Sequence, residues 1–119
     1  MIPVREMPER ERPLSERYRL AANAWVEADA KARRLEELKT TLLEQKKQNY
    51  IRSQGIDMAD NKAERMVKAG EEWESYIVAM VDARTEANRL KVEMEVVRML
   101  EREQADRNAN IRAEQRLMR

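Results

Sequence analysis

The chain has 119 residues, room for one domain. Charged residues make up 39% of it and aromatic residues 4%, with a formal net charge of +1. With no Cys and no His, thiol nucleophiles, disulfides, structural zinc and imidazole acid–base chemistry are excluded together.

Two Gly and three Pro are too few turn residues for a β-protein. The abundant residues, Ala, Glu, Arg, Leu, Met and Lys, are strong helix formers, so the composition predicts a few long helices around a thin core. No apolar run approaches the ~20 residues that span a membrane. The N-terminus lacks the apolar stretch of a signal peptide, so a cytoplasmic location is expected.

Residues 1–14 hold all three prolines among alternating charges and read as an extended arm. Residues 15–119 read as a single helical-hairpin domain, with helices over about 15–52, 61–69 and 71–117. In the first helix the apolar stripe is Leu14, Tyr18, Ala21, Trp25, Ala28, Ala32, Leu35 and Leu42, with Leu38 alongside. Its steps of four and three are a heptad seam as far as Leu35. Lys39 interrupts it. Gly55 supplies a left-handed stop. Asn61 with Glu64 resembles a capping box that opens the short helix, and Gly70 ends that helix.

The third helix opens on three acids, Glu71, Glu72 and Glu74, which suit the positive end of its dipole. Its stripe is Trp73, Tyr76, Met80, Ala83, Ala87, Leu90, Met94 and Val97, spaced three and four without a slip. The next seam positions, Glu101, Gln104 and Asn108, are polar, so the apolar seam stops near Leu100. Folding back at Gly55–Gly70 sets residues 31–52, seven bases against three acids, beside residues 57–95, ten acids against six bases. The expected fold is all-α: a long antiparallel hairpin with a short helix at the turn, self-associating as a homo-oligomer that covers apolar residues left on the flanks.

Candidate functional residues fall in three groups. Arg98, Arg102, Arg107, Arg112, Arg116 and Arg119 lie beyond or beside the end of the seam, where they suit phosphates or a partner. Lys46 and Lys47 in the basic stretch suit phosphates too, or a solvated face paired with the acidic helix. Trp73 and Tyr76 either plug the turn end of the hairpin or dock a partner. No Glu-x-x-His pair, phosphate loop or dinucleotide fingerprint occurs. The expectation is therefore a non-enzymatic protein with no cofactor and no metal.

Asn61–Glu64 before a short helix, Trp73–Tyr76 at a helix start, Ala83–Asn88 (A-R-T-E-A-N) and Arg112–Leu117 (R-A-E-Q-R-L) form a pattern over residues 60–117. On these motifs the chain resembles a family of small helical proteins of tailed bacteriophages and prophages. It departs from that pattern after Met99. Genes of the family sit among replication and recombination genes. The resemblance implies a role beside DNA metabolism, with single-stranded DNA or a phage recombination protein as partner. The alternative is a protein-only adaptor or inhibitor that grips a host or phage enzyme.

Overall fold

The computed structural model describes Pro3, Met7, Pro8 and residues 11–118. Its three helices are α1 (Leu14–Gln54), α2 (Asp60–Lys68) and α3 (Glu71–Leu117). Helices α1 and α3 pair as an antiparallel hairpin with α2 at the turn, the all-α fold expected from the heptad stripes. Arg119 and most of the first ten residues, half of the expected arm, lie outside the described residues. The chain divides into two compact units, residues 28–87 and residues 1–27 with 88–119.

In the 28–87 unit, α1 continues until Gly55, whose φ of 67° is comfortable only for a residue without a side chain. The Gly55 N–H donates to the Arg52 carbonyl at 3.2 Å and closes the helix end. The capping box expected from Asn61 does not form. Helix α2 begins one residue earlier, after Ala59, and no side chain caps it. Instead the Lys62 and Ala63 N–H groups donate to the Ala59 carbonyl, and Asn61 is already inside the first turn. Gly70 joins α2 to α3 through its backbone: its N–H donates to the Val67 carbonyl and its own carbonyl accepts from Glu74.

The core of this unit is made of small residues. Ala32, Ala83 and Ala87 form a buried cluster, with Ala28 and Leu35 packed against it. Alanine at these seam positions lets the two backbones approach closely and costs little side-chain entropy. Lys39 and Leu38 are exposed, so the seam is interrupted where the polar residue predicts. In the other unit Val97 is buried, while Leu14, Tyr18, Ala21, Trp25, Leu90 and Met94 are half-buried. The Lys91 ammonium stands 6.0 Å from the Trp25 ring centroid, at the outer reach of a cation–π contact. From Arg102 to Met118 the helix end is exposed throughout, as the polar seam positions beyond Leu100 predict.

Candidate nucleic-acid interface

Sequence reasoning offered aromatics at the turn, lysines on α1 and arginines on α3, and the structure separates them. At the turn, Trp73 is buried and stacks on Tyr76, with ring centroids 5.7 Å apart and planes 29° from parallel. The Tyr76 hydroxyl donates to the Leu35 carbonyl on α1. These two rings close the hairpin end, the first of the two readings the sequence left open for them. The Trp73 ring lies at the α1–α2–α3 junction, where it helps line a groove with Tyr50, Met66 and Val67.

Lys46 and Lys47 are likewise committed inside the unit. Lys47 is only 4% exposed. Its ammonium donates to Glu44 at 2.7 Å and to Asp60 at 2.9 Å. Those hydrogen bonds hold the lysine charged well above its ordinary range, against the opposing effect of burial. Lys46 donates to Glu72 at 2.7 Å, and that hydrogen bond pulls the Glu72 carboxyl below its ordinary value. Lys47 is therefore corrected from a phosphate ligand to a strut that ties α1 to the start of α2. Lys46 is the expected cross-helix partner of the acidic α3 start.

The densest ion-pair node was not anticipated. Arg84 on α3 donates to Glu36 at 2.9 Å and 2.7 Å and to Asp29 at 2.8 Å, both on α1. The fork holds Glu36 below its ordinary range, first through the hydrogen bond and then through charge. Here the base comes from the acidic stretch and the acids from the basic flank, the reverse of the averages. The available signal was spacing: Asp29 and Glu36 are seven residues apart on one side of α1, and Arg84 adjoins the seam residue Ala83.

The arginines near the end of α3 differ from those that tie the helices or their own turns by ion pairs. Arg19, Arg33, Arg84 and Arg89 each bind a carboxylate. Arg98, Arg102, Arg107, Arg112 and Arg116 are exposed. Among the described residues they form none of the ion pairs seen elsewhere; Arg112 donates only to the Asn108 carbonyl of its own helix. At ~100° per residue, Arg98, Arg102, Arg112 and Arg116 fall within about 80° of arc, with Ala105 and Ala109 between them. Arg107 projects from the opposite side. Tyr18 of α1 meets this face at its start, sharing an open cleft with Arg98, Glu101, Arg102 and Ala105. A row of unpaired guanidinium groups, small residues between them and one half-buried ring give cations for phosphates and a surface on which a base can stack.

No group of three or more acidic side chains among the described residues is placed to hold a metal ion. Among the described residues no helix is long and apolar enough to cross a membrane. Comparison with protein-family models, with curated proteins and with solved structures finds no match.

Proposed function

We propose that the protein is a non-enzymatic accessory factor that binds a polyanionic strand, single-stranded DNA in the first instance, along the arginine face of α3. The observation that carries this reading is the contrast in pairing. Lys46, Lys47, Lys68 and Arg84, nearer the hairpin turn, are bound to carboxylates, whereas Arg98, Arg102, Arg112 and Arg116 share one solvated side of α3 and keep their charge available. Burying no partner there costs the fold nothing, and a phosphate backbone gains by releasing counterions. The phage-family resemblance points the same way, towards replication and recombination in the host cytoplasm. Interspersed Glu103, Asp106 and Glu114 moderate the field, which suits weak, salt-sensitive contact over tight sequence reading.

A protein-only adaptor role is the second reading. The groove lined by Tyr50, Met66, Val67 and Trp73, rimmed by Glu71 and Glu72, supports it. An affinity pull-down from infected cells, with and without nuclease, tells the two apart. Co-purifying nucleic acid, and partners lost on nuclease treatment, support the DNA reading. A nuclease-resistant stoichiometric partner with no bound nucleic acid overturns it in favour of the adaptor.

A further inference from the structure

Between the start of α1 and the stretch of α3 from Leu100 to Ile111 lies an open cleft of about 910 Å³. All of its lining belongs to one unit, residues 1–27 with 88–119. Arg107, which projects away from the arginine face, lines it together with Gln104 and Asn108, the polar residues at seam positions. Among the described residues, one carboxylate, Glu101, lines it with three arginines, Arg12, Arg17 and Arg107, an excess of two positive charges.

Arg17 is the unusual member. Its Nε is buried and has no hydrogen-bond partner among the described residues. Its neighbour Arg19, by contrast, is bound to Glu16. A buried N–H without an acceptor costs free energy that a bound acceptor returns. Packing alone does not call for arginine here, since an apolar side chain of similar length leaves no donor to satisfy.

We infer that this cleft binds a phosphate monoester, with Arg17 as its anchor. The Nε and one terminal nitrogen of a guanidinium form a fork that grips two oxygens of one anion. A carboxylate brings one charge, and the fork takes both its oxygens. A phosphate monoester carries about −1.5 to −2 at pH 7 and three acceptor oxygens. That charge matches the excess, and the third oxygen is left for Arg107 or for the Gln104 and Asn108 amides. Arg12 has a contact of its own and contributes charge only. A strand's internal phosphodiesters carry one charge each and suit the solvated arginine face instead. Monoesters occur at the end of a strand and on a free nucleotide, and the same chemistry holds either one.

Thermal unfolding of the full chain in sodium phosphate against sodium chloride, at equal ionic strength, separates a ligand site from a structural arginine. Tm of the natural protein should rise with phosphate, because a ligand of the folded state stabilises it. Arg17→Met keeps the apolar stem and removes the unsatisfied donor. It should melt at or above the natural temperature in chloride and lose most of the gain in phosphate. A natural Tm that ignores phosphate, a variant that gains as much, or a variant markedly less stable in chloride each overturns the proposal. Two further arms identify the source. Several-fold tighter binding of oligo-dT ending in a phosphate than in a hydroxyl, lost in Arg17→Met, assigns the monoester to a strand end. Arg17-dependent heat of binding with thymidine monophosphate, without that preference, assigns it to a free nucleotide. Neither response overturns the site. The hydroxyl-ended strand reads the arginine face alone, so its binding survives Arg17→Met whichever way the cleft is decided.

Discussion

Replacing Ala87 by Leu probes the closest approach of α1 and α3. Ala87 and Ala32 are 0% exposed, and Ala83 packs with them, so the layer holds no room for a larger side chain. Leucine adds three carbons. Were a gap present, filling it would gain about 0.8 kcal/mol per carbon, roughly 2.4 kcal/mol in all. In a filled layer the added carbons instead force the helices apart, at a cost of about 1–3 kcal/mol. Unfolding entropy near 2.1 cal/mol/K per residue makes each kcal/mol worth about 4 °C for a chain this long, so Tm should fall by about 4–12 °C. Thermal unfolding followed by circular dichroism at fixed protein concentration reads this directly. Ala109→Leu, on the exposed end of α3, should melt within about 2 °C of the natural protein. An Ala87→Leu variant that melts at or above the natural temperature would refute the packed alanine layer.

Gly55→Ala should cost about 1–2 kcal/mol in chemical denaturation, because its positive φ strains any L-residue even though no neighbour lies within 4 Å of the added carbon. Gly55→Asn should cost less, and equal stabilities would remove the left-handed stop from the explanation. Lys47→Ala should lower Tm more than Lys46→Ala, since Lys47 is the buried lysine and carries two carboxylate bonds; the reverse order would contradict its role as a strut. Glu16, Glu36 and Glu72 are held below the ordinary value of 4.5 by hydrogen bonds from Arg19, Arg84 and Lys46. A depressed carboxyl stabilises the fold above its unfolded pKa and loses that contribution as pH falls through its folded pKa. Tm should therefore hold at mildly acidic pH and decline below about 4.5, and a triple Glu→Gln variant should show a flatter decline.

The hairpin was legible in the sequence because two heptad stripes, from Leu14 to Leu35 and from Trp73 to Val97, are unbroken, and two glycines mark the turn. Helix periodicity is a repeated signal, so a single exception such as Lys39 does not hide it. The capping box was misread because a capping motif is a local pattern, and the helix could start one residue earlier by using the Ala59 carbonyl. The fates of Lys46, Lys47 and Arg84 were less legible for a different reason. A charge's partner depends on helix rotation and on the angle of α2, which no stretch average contains. Lys47 and Lys46 are adjacent in sequence, yet only Lys47 is buried. The terminal arginines were identifiable as a group. That four of them share one side while Arg107 faces away follows from the helical spacing once α3 is continuous to Leu117.

The central claim rests on the arginine face, and the salt dependence of strand binding tests it most directly. Fluorescence anisotropy of a labelled oligo-dT strand should show affinity falling steeply as salt rises. Changing Arg98, Arg102, Arg112 and Arg116 together to Ala should leave helicity intact. It should weaken binding and reduce the slope of log K against log salt by up to about three units, at ~0.7 per phosphate contact on a single strand. Unaltered affinity and slope in that variant, or no binding by the natural protein at low salt, would contradict the assignment of this face to DNA.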